Sequence, residues 1–249
     1  GKGSDVVLIH GIGASVFVWR FLFPLLQTHH RVTALDLPGF GKSSKHAKRD
    51  YGLDAQTETV VRALEQLGIK KALVVGSSMG GAISLWLAKK YPDRFAKIAV
   101  LAPAPDSSLI PAQNKHFATA APFMRKALNR KTMKLILSQI IHRKEVITDD
   151  VIDSYLSPFQ NGSDGIRAFW AATSLLTDPR LPHDLREISS RVLVIHGDRD
   201  RLVTRRSIGR LMTLLPNASL LTHPDGAHHI MEDEPAWTAR ALVLFLREK

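Results

Sequence analysis

The pentapeptide Gly76-Ser77-Ser78-Met79-Gly80 centres a serine in a G-x-S-x-G pattern, between the apolar run "ALVVG" (72–76) and a helical pattern over 79–90. A tight strand-to-helix turn of this kind lifts its central side chain out of the sheet, while small neighbours let the surrounding chain close in. The following helix aims its amide end at the same point and favours developing negative charge there. Ser78 is therefore the candidate nucleophile, and Ser77, one place off the apex, points elsewhere. The bland alternative, a glycine-rich turn without chemistry, is weakened by the strand before it and the helix after it.

A serine needs a base, and the base needs a carboxylate to orient it. Asp198 and Asp200 follow the strand-like run "RVLVIHG" (191–197), and His228 and His229 lie in "HPDGAHHIMEDEP" after the last such run. Each candidate follows a strand-like run, on the edge of the sheet where sites form, and the order Ser, Asp, His is one expected on this kind of sheet. "HGIGAS" (10–15) follows the first strand, and its glycines let backbone amides face a site. The amide of Ile12 can then pair with that of Met79 as an oxyanion hole.

The elements that must position these residues are legible as apolar runs. Strands are expected at 5–10, 31–36, 72–76, 97–102, 191–197 and 219–223, with helical patterns near 19–27, 54–67, 79–90, 204–215 and 235–247. Short, almost wholly apolar strands alternating with helices predict an α/β fold with a doubly wound, mostly parallel sheet. Residues 104–187 break the alternation: helical stretches at 115–129, 131–143, 149–156 and 164–176 suggest an inserted helical cap over the carboxyl edge of the sheet. The expected division is a core of 1–103 and 188–249 with a cap of 104–187.

At 249 residues the chain can bury a sizeable core, and it has no cysteine and no run of membrane-spanning length. It begins "GKGSDVVLIH" without a signal-peptide pattern, as expected of a trimmed product. A soluble protein is expected, with the cytoplasm favoured. The net charge of +11 is spread over the whole length, with 14 basic and 7 acidic residues in 1–103, 11 and 9 in 104–187, and 9 and 7 in 188–249. With no RNA or zinc-finger motif, no nucleic-acid partner is expected. Lys115 to Lys144 holds eight Lys or Arg and no acid. A solvated helix face is the plain reading, and peripheral contact of residues 115–144 with an anionic membrane is the sharper one. "GIGASV" ends in Val16 where a dinucleotide fingerprint needs Gly or Ala, and "GFGKSS" has Asp36 where a phosphate loop needs Gly. No metal-ligand spacing occurs, so neither cofactor nor metal is expected.

Together "LIHGIGAS", "LDLPGFGKS", "VVGSSMGGAISL", "YPDRF", "VIHGDRD" and "GAHHIMEDEP" resemble the α/β-hydrolase superfamily, in its capped group with a Ser-Met-Gly-Gly elbow. The resemblance runs from about residue 5 to the end. It implies Ser78 as nucleophile, Asp200 as the acid three places after Gly197, and His228 as the histidine seven before Pro235. It also implies an oxyanion hole from the amides of Ile12 and Met79. The chain departs from the family in having Gly-Ala-His-His for the usual Gly-His, and in having only four residues before its first strand.

The expected activity is hydrolysis of a small-molecule carboxylic ester through an acyl-enzyme. Phe117, Phe123, Met124, Phe169 and Trp170 suggest an apolar acyl pocket, of the kind a monoacylglycerol-type ester would fill. Two alternatives remain. Relatives with this elbow also cleave carbon–carbon bonds of vinylogous diketones, and a ligand-binding receptor on a hydrolase scaffold is the alternative of another class.

Overall fold

The computed structural model describes residues 1–46, 48–104, 125–160 and 162–247. Six strands, β1 (Asp5–Ile9), β2 (Arg31–Leu35), β3 (Leu73–Ser77), β4 (Lys97–Leu101), β5 (Arg191–Gly197) and β6 (Ala218–His223), form one sheet. Its order is β2-β1-β3-β4-β5-β6, and every neighbouring pair is parallel.

Alternation along the strands explains why both faces need cover. Val7, Ile9, Val74, Ile98, Val100, Val192 and Val194 enter one apolar cluster, while Val6, Leu8, Val75, Ala99, Leu101, Leu193 and Ile195 enter another. Side chains point to opposite faces with a period of two, so a strand apolar at every position must be buried on both sides. Helices α2 (Leu53–Gln66) and α3 (Met79–Lys90) cover the first face; α1 (Leu22–Leu26) and a C-terminal helix, Pro235–Arg247, cover the second. The edge strand β6 leaves Leu220 and Leu221 exposed.

Between β4 and β5 the described residues show no strand and include the α-helices α4 (Arg130–Ile140), α5 (Asp149–Leu156), α6 (Asp164–Leu176) and α7 (Arg180–Asp184). Met133, Leu137, Val151, Ile152, Leu156 and Ile166 make a third cluster with Ala14, just beyond the carboxyl end of β1. The second half of α6 and residues 181–188 pack instead into the cluster beneath the sheet. After β5 come α8 (Arg205–Leu214), α9 (Ile230–Asp233) and α10, the C-terminal helix just named.

Observed bounds lie within one residue of the expected strands. The helix expected at 19–27 is a 3₁₀ turn, Val16–Trp19, followed by α1. The break follows from Pro24, whose missing N–H is harmless only in a first helical turn. Helices α7 and α9 are too short to carry a periodic signal and were not expected. Most of the helical pattern at 115–129 lies outside the described residues.

Candidate active site

Ser78 stands between the end of β3 and the start of α3, with φ +51° and ψ −113°. A non-glycine residue held there stores roughly 1–3 kcal/mol of strain, which the surrounding fold must hold in place. Its amide donates to the carbonyl of Leu101, and its own carbonyl accepts from Ala82 and Ala104. A Cβ on Gly76 would fall 2.1 Å from the Gly80 carbonyl oxygen, and one on Gly80 would fall 2.1 Å from that of Ile9. Glycines are thus required where β3 and α3 pass each other and where α3 crosses β1. Ser77 is fully buried within the strand.

Asp200 follows β5, and its Oδ1 accepts from the amides of Leu202 (2.8 Å) and Val203 (3.0 Å). Its Oδ2 accepts from His228 Nδ1 at 2.9 Å. The two loops can meet because Gly197 runs against Gly226: a Cβ at 197 would sit 2.2 Å from the Gly226 oxygen. Burial pushes the Asp200 carboxyl up, but the hydrogen bond from His228 and the two backbone amides outweigh it and hold the carboxyl below its ordinary range. Asp198, the other candidate acid, pairs with Arg205 at the surface.

With Nδ1–H committed to a carboxylate, His228 presents Nε2 as the unprotonated nitrogen of the neutral ring. Ser78 and His228 line one cavity of about 300 Å³, along with Ile12, Ile136, Phe169 and Trp170. Among the described residues Ser78 Oγ has no hydrogen-bond partner, so the serine–imidazole contact is open in this state. Such contacts are often long before substrate binds.

The amide of Met79 is the first of α3 and has no carbonyl within the helix to serve. Ile12 lies in the turn after β1, closed by the Ala14 amide on the Gly11 carbonyl. His10, not singled out from the sequence, braces that turn: Nδ1 donates to the Gly11 carbonyl at 2.7 Å and Nε2 accepts from the Leu37 amide at 3.0 Å. Burial pushes its pKa down and keeps it neutral, as this pattern needs.

His229 takes different partners. Its Nδ1 lies 2.6 Å from Glu232 Oε2, and the Tyr155 hydroxyl donates to the same oxygen at 2.6 Å. Arg20 pairs with the other oxygen, Oε1. Burial opposes ionisation of Glu232, but the bonds from His229 and Tyr155 and the Arg20 guanidinium hold its carboxyl below the usual range. Burial and the neighbouring Glu232 charge push the Tyr155 phenol well up. Nothing in the spacing of residues 20, 155, 229 and 232 announces this cluster.

Asp233 ties the segment just after α4 to the His228 loop. Its Oδ1 accepts from the amides of His142 (2.8 Å) and Arg143 (2.9 Å), and its Oδ2 from that of Ala227 (2.8 Å).

A second cavity of about 250 Å³ adjoins the first, sharing Ile12, Ile136, Ile140, Phe169, Trp170 and His229. Two expected acyl-pocket residues, Phe169 and Trp170, line both; Phe117, Phe123 and Met124 lie outside the described residues. No group of three or more His, Asp or Glu arranged to hold a metal occurs among the described residues. No helix among them is long and apolar enough to cross a membrane.

A family model for the alpha/beta hydrolase fold matches residues 6–235. An uncharacterized hydrolase, YugF, of Bacillus subtilis (strain 168) is 30% identical over 98% of this chain and 90% of its own length. A 2-hydroxy-6-oxononadienedioate/2-hydroxy-6-oxononatrienedioate hydrolase of Comamonas testosteroni is 28% identical over 92% of this chain and 82% of its own. Among solved structures, a bacterial membrane phospholipase A superposes with TM-score 0.81 at 27% identity, covering 98% of this chain and 79% of that one. With the model spanning nearly the whole sheet, and the carboxyl ends of its strands carrying the serine, aspartate and histidine just described, the chain belongs to the α/β-hydrolase fold family and is a hydrolase.

Proposed function

We propose that the protein is a serine hydrolase of uncharged carboxylic esters, with Ser78 as nucleophile, His228 as base and Asp200 as its orienting acid. The observation that carries this reading is the 2.9 Å bond from His228 to Asp200 beside a cavity that the strained Ser78 also lines. His228 Nε2 takes the Ser78 proton as Oγ attacks the carbonyl carbon. The amides of Ile12 and Met79 receive the oxyanion, and the same imidazole returns the proton to the leaving alkoxide. Water, activated by His228, then attacks the acyl-enzyme and regenerates Ser78.

The cavity lining favours a neutral substrate. Apart from the imidazoles, the described lining residues of both compartments carry no titrating charge, and aromatic and branched aliphatic side chains dominate. An uncharged acyl group of moderate length suits that surface, whereas a carboxylate would lose hydration without a cation to replace it.

Carbon–carbon bond hydrolysis of vinylogous diketones is the second reading, favoured by the Comamonas testosteroni relative, whose named substrates are of that kind. A panel of p-nitrophenyl esters of rising chain length, run beside a 2-hydroxy-6-oxo-dienoate, separates the two. Turnover of the esters, abolished in Ser78→Ala, supports the first reading. Turnover of the dienoate alone supports the second, and ester turnover surviving in Ser78→Ala overturns both.

We also propose that the basic stretch 115–144 makes peripheral contact with an anionic membrane. Lys131, Lys134 and Leu135 are exposed on α4, and Ile136 beside them lines the cavity. Sedimentation with vesicles rich in anionic lipid, weakened in Lys131→Glu/Lys134→Glu, is the expected result; no sedimentation removes the proposal.

A further inference from the structure

His229 is the unusual member of the cavity wall. It lines both compartments, its side chain is 7% exposed, and its ring stacks on that of His228 with centroids 5.7 Å apart. Nδ1 is committed to Glu232. Nε2 has no hydrogen-bond partner among the described residues and is the ring nitrogen left to the cavity. The other walls of the 250 Å³ compartment are aliphatic or aromatic; its remaining polar groups are the Tyr155 hydroxyl, spent on Glu232, and the Trp170 indole N–H, a donor rather than an acceptor.

The cluster dictates what Nε2 can do. Arg20 already balances the charge of Glu232. The Glu232 oxygen facing His229 accepts from two donors, so the imidazole keeps its proton on Nδ1 and offers Nε2 as a bare acceptor. An acceptor fixed by a buried carboxylate, in a largely apolar wall, rewards a ligand that brings a donor and leaves Nε2 unpaired with one that does not.

We propose that His229 is a specificity-determining residue that accepts a hydrogen bond from a hydroxyl on the acyl group, so that the protein prefers esters of hydroxy acids over their unsubstituted counterparts. The inference rests on the reading of this cavity as an acyl site.

Calorimetric titration of Ser78→Ala protein tests it without requiring turnover. The probes are methyl hexanoate, its 3-hydroxy and 6-hydroxy derivatives, and the matching methoxy ethers. One hydroxy ester is expected to bind about tenfold tighter than both the plain ester and its methoxy analogue, the worth of one hydrogen bond. The preference is expected to vanish in Ser78→Ala/His229→Phe. A second variant, Ser78→Ala/Glu232→Gln, reads the tautomer rather than the shape. Arg20 holds the amide oxygen on its own side, the amide N–H₂ faces Nδ1, and the imidazole proton moves to Nε2. The hydroxyl then loses its advantage over methoxy, since both accept, but keeps its advantage over the plain ester. Equal affinity for all the esters, or a hydroxyl preference that survives both variants, overturns the inference. Hydroxyl-selective binding by a protein that hydrolyses none of these esters would leave it standing and overturn the ester reading instead.

Discussion

His228 and His229 are neighbours in sequence and stack in space, their planes 29° apart, yet each bonds a different buried carboxylate. His228 Nδ1 meets Asp200 after β5, and His229 Nδ1 meets Glu232 one turn further along its own segment. The loop thus sends one imidazole toward Ser78's cavity with a partner from a distant strand, and the other with a local partner. The two carboxylates should therefore have separable effects.

Asp200→Asn removes the acceptor that fixes the His228 tautomer while preserving volume. We expect kcat on a short ester to fall about 10³–10⁴-fold with KM nearly unchanged. Steady-state kinetics on p-nitrophenyl butyrate check it; a loss confined to KM would contradict the assigned role.

Acid stability follows from the same carboxylate. In the folded state the Asp200 pKa is held below the unfolded value of about 3.9. A depressed carboxylate contributes stability that is present above the unfolded pKa and is lost as pH falls through the folded one. Urea unfolding from pH 7 to pH 2.5 should show the gap between wild type and Asp200→Asn closing only below about pH 4. A gap of constant size over that range would contradict the linkage.

Asp233→Ala leaves three backbone amides, those of His142, Arg143 and Ala227, without their acceptor. The Ala227 amide is buried and costs about 1 kcal/mol or more when unpaired, and the two part-buried amides cost less, so a loss of about 1–2 kcal/mol is expected in urea unfolding. Because the lost bonds join α4's end to the His228 loop, ester turnover should fall as well. Unchanged stability would show that the bonds carry no weight.

Gly80→Ala drives a Cβ to 2.1 Å from the carbonyl oxygen of Ile9, where neither backbone can yield without separating α3 from β1. The expected cost is about 3 kcal/mol or more, read as a large fall in thermal midpoint or as insoluble expression. Wild-type stability in this variant would mean the elbow is packed more loosely than described.

The strands were legible because each is apolar at nearly every position, which only a doubly covered sheet rewards. Val6 to Ile9 and Val192 to Ile195 show it most plainly. Ser78, Asp200 and His228 were legible because each follows a strand, and parallel strands bring those ends to one edge. Local order could not reveal what distant residues assemble. Arg20 and Tyr155 meet Glu232 from a turn after the 3₁₀ segment and from α5, and each alone looks like an ordinary surface or core residue. His10 was hidden for another reason: its partners are main-chain atoms, which leave no trace in side-chain type.

The measurement closest to the central claim is peptide mapping by mass spectrometry after reaction with a fluorophosphonate. The account predicts one adduct per chain, on Ser78, forming at least about 100-fold more slowly in His228→Gln, whose side chain cannot take the proton. No adduct on Ser78, or labelling at the same rate in both proteins, would contradict it.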